Sequence, residues 1–377
     1  MSRPAFTIQR HFRSLKDPRI ERRKKHLLLD IVAIAICGVI CGCNDWQQIA
    51  TFAKSRHDWL KKFLRLPNGT PSHDTFERVF DRLNPGAFQA CFREWMRALH
   101  EALGLSQIAI DGKTLRGSGT GGRQTLHLVS AWATANCVSL GQVAVAEKSN
   151  EITAIPQLLE LLDVKGALVT IDAMGCQKEI AARIVEGGGD YVLTVKDNQP
   201  TLLTAIQECF QKAIDSDFAG LSHDDFKTEE RAHGREEVRY YHIITEPQLP
   251  MSGDWKGLKV IGMCYHECIQ NGKTTNETRY FIGSRKANAK IYGKALRGHW
   301  GIENTLHWQL DVSFAEDKNR VSQRHGAENL ALVRRLALSL LKQHPDKKSI
   351  ACKRLQAALD PEFLLEVAAL AGNPENV

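Results

Sequence analysis

Two short β-branched runs, IAI at 108–110 and LVTI at 168–171, each stop at an aspartate, Asp111 and Asp172. Short apolar runs of this kind, bounded by turn residues, read as buried strands. Around them the hydrophobic period alternates between two residues and three to four. Residues 126–134 and 138–145 read as strands, set off by GSGTGG and ANC turns. ITAIPQLLELL reads as a helix, 176–186 as a helix closed by GGG, 191–195 as a strand and 201–214 as a helix. The order β-β-β-α-β-α-β-α confines the chain to an α/β fold in which a meander feeds right-handed parallel crossovers.

The flanks carry different patterns. Residues 1–105 read as all helix, with Ser72 or Asp74 as a candidate N-cap. Phe76, Val79, Phe80 and Leu83 form a core-facing stripe there, NPGAF breaks it, and another helix is expected over 88–103. Two short helices around a tight turn fit a DNA-reading helix-turn-helix or a plain small bundle. From 217 to 285, EEVRYYHIITE, LKVIGMCYHECIQ and TNETRYFIG read as three antiparallel strands, with NGK as a hairpin turn. The segment KANAKIYGKALRGHWGIENTLHWQL returns to helix, weakened by Gly293, Gly298 and Gly301. From Ser322 onward the chain is helical and basic around Arg334 and Arg335.

A length of 377 residues allows two or three domains. The net charge of +7 suits a polyanionic partner, and Arg and Lys crowd the first 25 residues, as a solvated arm or a phosphate-contacting one. The apolar stretch 27–43 is interrupted by Asp30, and its unbroken remainder is shorter than the roughly 18–20 residues that span a bilayer. A buried helix, and no membrane partner, is the expectation. Ten cysteines make neither a zinc knuckle nor a disulfide framework: Cys264 and Cys268 stand one residue too far apart for CxxC. Reduced thiols in a cytoplasm are expected.

Strand-end aspartates on neighbouring strands can lie about 5 Å apart, and carboxylates that close repel unless a cation sits between them. A third acid from a helix, Glu303 in RGHWGIENTLHWQLDV, completes a set able to hold two hard divalent ions for in-line phosphoryl transfer. The adjoining Trp300, Leu306, Trp308 and Leu310 predict a mostly buried helix, in which a carboxylate needs a partner. Asp311 is the second choice for the third acid, and Asp317, Glu147 and Glu151 also compete. His299 and His307 bracket Glu303 at helical spacing, so a zinc site is the rival reading, without further ligands to support it. Lys113 and Arg116 beside Asp111, and Lys196 with Asn198 after the 191–195 strand, are candidate phosphate contacts.

IAIDGKTLRGS, VTIDAMGCQKEIA, DYVLTVKDNQPTL and RGHWGIENTLHWQLDVSFAEDKNR together resemble the H-repeat-associated insertion-sequence transposases, a branch of the DDE superfamily. The resemblance covers nearly the whole chain, including DPR and TPSHDTFERV near its start. It implies a ribonuclease-H-like mixed-sheet core with a β-rich insertion and an N-terminal all-helical domain. It also implies two Mg²⁺ ions, replaceable by Mn²⁺, on Asp111, Asp172 and Glu303. The partners implied are double-stranded transposon ends and target DNA, met by a homodimer associated with the nucleoid. The division implied is a helical part at 1–105, a core at 106–216, an insertion at 217–285, the rest of the core at 286–345 and a helical tail at 346–377. Related transposases carry Y-x2-R-x3-E-x6-K around the glutamate, and here those positions hold Leu296, His299 and Leu310. Arg297 and His299 are therefore the candidates for contacting DNA at that point, with Lys294 as another substitute. A nuclease that cuts without strand transfer, and an inactive DNA-binding relic, are the alternatives.

Overall fold

The computed structural model describes residues 8, 10–101, 106–119, 125–146, 149–232, 234–321 and 323–369. The turn residues Thr120–Gly122, the competing acid Glu147, the expected helix end at Leu103 and the last residues of the tail lie outside them. The helices are α1 (Leu28–Ile40), α2 (Trp46–Ser55), α3 (His57–Leu60), α4 (His73–Arg82), α5 (Pro85–Glu101), α6 (Glu151–Leu161), α7 (Lys178–Glu186), α8 (Pro200–Asp215) and α9 (Ala289–His299). A π-helical turn (Glu303–His307) leads into α10 (Trp308–Val312), followed by α11 (Arg324–Gln343), α12 (Ile350–Leu359) and α13 (Pro361–Ala369). The strands are β1 (Gln107–Leu115), β2 (Leu126–Ala133), β3 (Val138–Ala144), β4 (Leu168–Ile171), β5 (Asp190–Val195), β6 (His223–Ala232), β7 (Arg235–Thr245), β8 (Val260–Gln270) and β9 (Lys273–Gly283). They form a mixed sheet of nine strands in the order β3-β2-β1-β4-β5-β9-β8-β7-β6.

The chain divides into two compact units, one of residues 1–104, 112–149 and 302–377, the other of 105–111 and 150–301. In the first, α1 is the apolar stretch expected to be a buried helix, and Asp30 within it has a structural task. Its Oδ2 accepts the backbone N–H of Leu66, a residue held at a left-handed φ of 40°. The α4 stripe of Phe76, Val79, Phe80 and Leu83 is buried as its spacing predicts. Ser72 occupies the N-cap position of α4 without a side-chain capping bond. α5 begins at Pro85, three residues before the expected start. A proline fits the first helical position because its missing N–H has no intrahelical partner there, and Asn84 Oδ1 accepts the N–H of Ala87. Arg334 and Arg335, around which the sequence is basic, both lie buried on α11. Arg335 Nη1 lies 3.1 Å from Glu316 Oε1, and both side chains are 0% exposed.

In the second unit, β1, β4 and β5 run parallel, as the crossover pattern predicts. Strands β6 to β9 are antiparallel and continue the same sheet, because β9 pairs with β5 from Val192↔Gly283 to Val195↔Tyr280. The NGK turn is correct: Asn271 and Gly272 both have positive φ, 52° and 72°, as a two-residue hairpin requires. The sequence reading missed β6, HDDFKTEERA, which has no apolar alternation because it is the outermost strand and largely solvated. Helix α9 covers one sheet face, where Ala289, Tyr292 and Ala295 join Leu168, Val192, Ile243, Val260 and Phe281 in a buried cluster. The glycines that seemed to weaken α9 permit this approach: a Cβ on Gly298 would meet Gln107 Oε1 at 2.5 Å.

No described cysteine is in a disulfide. Among the described residues no helix is long and apolar enough to cross a membrane.

Candidate active site

The register of β1 on β4 runs from Gln107↔Leu168 to Ile110↔Ile171. Asp111 and Asp172 each follow directly on that last pair, at the same end of the two parallel strands. One expectation needs correcting here. Asp111 does not end its strand, for β1 continues through Gly112 to Leu115. What ends at Ile110 is the pairing with β4, and this leaves Asp111 at the mouth of the parallel sheet.

Asp172 begins a tight loop. Its Oδ1 accepts the N–H groups of Met174 and Gly175 at 3.1 and 3.4 Å, which fixes the carboxylate's orientation. Gly175 is required there: a Cβ would lie 2.2 Å from Ile171 Cγ2. Burial raises the pKa of Asp172, and the charge of Glu151 at the start of α6 raises it further. The two backbone N–H bonds and the charge of Lys196 oppose that rise. Asn198 and Gln199 brace the loop by donating to Ala173 O and Cys176 O at 2.7 and 2.9 Å.

The other candidates divide. Lys196 and Asn198 are exposed beside the Asp172 loop. Arg297 is exposed and paired with Glu230 at 2.7 Å. Arg116 is exposed, with Asp317 Oδ2 3.6 Å away. Lys113 is 8% exposed, and its ammonium already faces Asp311 at 2.7 Å, Asp317 at 3.0 Å and Glu316 at 3.7 Å. Burial pulls its pKa down, but these carboxylates together hold it above the usual lysine value. Asp311, the second choice for the third acid, is thus engaged by a lysine, while burial keeps its own pKa raised.

Glu303 departs from the expected setting. It is exposed, and so are Trp300 and Trp308 at 41% and 53%, so only Leu306 and Leu310 bear out a buried helix. The stretch Glu303–His307 is π-helical. The extra residue per turn removes the i, i+4 alignment on which a His299–Glu303–His307 zinc site depended.

His299 lies with Nδ1 3.2 Å from Thr170 Oγ1, and burial lowers its pKa to about 4. It is a neutral packing group at pH 7. The unfolded ring titrates near 6.5, so between these values the unfolded chain binds more protons. The stability involved is complete above pH 6.5 and lost as the pH falls toward 4, amounting to about 1–2 kcal/mol at pH 5. Denaturant unfolding of the wild type and His299→Gln at pH 7 and pH 5 checks this; equal losses in both would reject it.

The sequence reading underrated Glu151, placed beside the third strand as a mere competitor. The sign available was its position immediately before an apolar helical run. It also missed Arg239 and Arg279, whose alternation with apolar residues in VRYYHII and TRYFIG places them on one sheet face.

A protein-family model described as DDE_Tnp_1-associated matches residues 9–96, and one described as Transposase DDE domain matches residues 103–340. The chain belongs to the DDE transposase family. Among its relatives are proteins of the H-repeat-associated branch. It is 41% identical over 363 residues to "Putative transposase YncI" of Escherichia coli O157:H7, covering 94% of this chain and 92% of that protein. It is 37% identical over 374 residues to "H repeat-associated putative transposase YhhI" of Escherichia coli K12, covering 97% and 98%. Among solved structures, the piggyBac transposase synaptic complex with hairpin DNA aligns with a TM-score of 0.41 and 11% identity, over 97% of this chain and 81% of that one.

The family implies divalent-metal use, and the carboxylate pair fits it. Burial and Glu151 disfavour the charged form of Asp172, and a bound cation would favour it. Among the described residues no three His, Cys, Asp or Glu side chains converge as a complete metal cage. Mg²⁺ ordinarily takes only one or two carboxylates and fills its shell with water and substrate phosphate oxygens.

Proposed function

We propose that the chain is an insertion-sequence transposase that cuts and rejoins DNA phosphodiesters on a ribonuclease-H-like core. The observation that supports the reading is the parallel pairing of β1 with β4, whose last pair, Ile110↔Ile171, immediately precedes Asp111 and Asp172. Asp111, Asp172 and Glu303 would hold the divalent metal. Two Mg²⁺ ions, or Mn²⁺ in their place, would activate water and then a 3′-hydroxyl and neutralise the leaving 3′ oxygen.

The residues around the pair have their own tasks. The N–H groups of Met174 and Gly175 hold Asp172 in one orientation. Lys196 places positive charge beside it, where a scissile phosphate would approach. Asn198 keeps the loop after Asp172 in place through Ala173 O. Arg116 and Arg297 are exposed cations suited to flanking phosphates, whereas Lys113 and His299 serve packing and charge balance.

The proposal extends to the division of the chain at 105, 216, 285 and 345, and to a homodimer on DNA in the cytoplasm, close to the nucleoid. The joining step is the test. Pre-cut transposon ends, a target plasmid and Mg²⁺ should yield covalently joined products with the wild-type chain. Cleavage of uncut ends without any joined product would make the protein a nuclease instead.

A further inference from the structure

A groove of about 270 Å³ opens on the sheet face covered by α9, within the unit that carries Asp111 and Asp172. The strand registers show that this is the acids' own face. Ala109 pairs with Thr170, Thr170 with Val192 and Val192 with Gly283. Two residues along β5, Thr194 pairs with Phe281, and Asp172 follows Ile171, whose partner is Leu193. Alternation along β9 puts Arg279 and Glu277 on that same side, opposite Cys264 and His266 of β8, and Arg239 lies opposite His266. Thr194 and His299 line the groove at the end toward the acids. The charge of Lys196 acts on both Asp172 and Glu277, so it spans the interval between the pair and the groove.

Among the described residues the groove is lined by four arginines and one glutamate. Most of these cations have acidic partners: Arg297 pairs with Glu230 at 2.7 Å, and Arg279 with Glu277 at 2.7 Å. Two buried nitrogens are different. Arg239 Nη1 and His266 Nε2 have no hydrogen-bond partner, although Arg239 is only 8% exposed. Arg239 is held through Nη2 by Glu237 Oε2 at 2.5 Å, but its Nη1 stands 3.5 Å from Glu230, and His266 Nε2 stands 3.9 Å from Glu237. A buried guanidinium donor left unpaired is costly, and it is kept where a ligand completes it. Beside these atoms the Arg279 guanidinium lies 4.5 Å from the ring centroid of Trp300, which is partly exposed at the rim. Paired cation and aromatic surfaces are the chemistry of single-strand nucleic-acid contact.

We propose that this groove is a phosphate-binding subsite for one DNA strand, in which Arg239 and His266 take a backbone phosphate and Arg279 with Trp300 form the wall for the adjoining nucleotide. The assignment rests on the reading of the chain as DNA-acting and adds where the strand lies beyond the acids. The groove is built from the strands beyond β5, so it gives that part of the sheet a substrate-holding task.

The test uses the full chain in EDTA, so that no cleavage intervenes, and fluorescence anisotropy of a fluorescein-labelled oligothymidylate. Arg279→Gln combined with Trp300→Leu should weaken binding about tenfold and reduce the slope of log Kd against log salt by about one. His266→Gln should weaken it in the same direction. Should the double variant melt early, Arg279→Lys with Trp300→Phe keeps a charge and a ring but loses the planar guanidinium stack, and should weaken binding about threefold with the salt slope retained. At constant ionic strength, inorganic phosphate displacing the oligonucleotide from wild type alone identifies a free phosphate as sufficient. Weakened variants without such displacement identify the strand as the ligand. Unchanged affinity and salt slope in the folded double variant would overturn the subsite. That result would leave Asp111 and Asp172 untouched as catalytic candidates, whereas intact cleavage by Asp172→Ala would remove the catalytic reading and leave the groove standing.

Discussion

Asp111→Ala or Asp172→Ala should reduce strand cleavage by about a thousandfold or more, with DNA affinity held within about threefold of wild type. The two effects separate because the carboxylates hold the reacting centre, while duplex affinity comes mainly from cations on phosphates. Ile110 and Ile171, the residues before the two aspartates, are fully or almost fully buried in well-packed strands. Removing a partly exposed carboxylate from such a frame leaves the sheet intact. A gel assay for nicked transposon ends, run beside a mobility shift with the same DNA, measures both quantities. Cleavage preserved in either variant sinks the metal assignment.

The second large effect lies in the other unit and concerns stability. Arg335→Met leaves Glu316 buried with one close cation fewer, since the two side chains are both 0% exposed and 3.1 Å apart. Breaking a buried pair from one side costs about 3–5 kcal/mol, because the remaining charge stays desolvated. Lys113, 3.7 Å from Glu316 Oε2, recovers part of that, so the loss should fall toward the lower figure. Adding Glu316→Leu to Arg335→Met should restore most of it, an outcome opposite to that of two independent defects. Urea unfolding of the two variants decides the matter; an additive loss would show that the pair is not the source.

Much of the α/β core could be read directly. The runs before Asp111 and Asp172 have branched side chains because both faces of β1 and β4 are covered, and a continuous apolar run is the mark of that burial. The parallel order came from the helices between them. The acids were visible for the same reason: a charge at the end of an apolar strand is out of keeping with its surroundings. Glu303 was read as a helical acid, but its surroundings were misjudged, because nearby tryptophans were taken as packed when both are substantially exposed. A π turn has no compositional sign, so the altered facing of His307 could not be foreseen. Strand β6 escaped because solvated edges carry no hydrophobic period. Arg334 and Arg335 were read only as a basic stretch of helix, since nothing local to them reveals the buried Glu316 eight residues before Arg324 begins the helix.

That solvated edge also governs how copies of the protein behave when crowded together. Six of the ten residues of HDDFKTEERA are Asp, Glu, Lys or Arg. A second sheet docking along this border would press like charges together and strip water from them, so fibre-like stacking is disfavoured. Edge-to-edge pairing of copies through β6 is therefore disfavoured, even where the protein is concentrated.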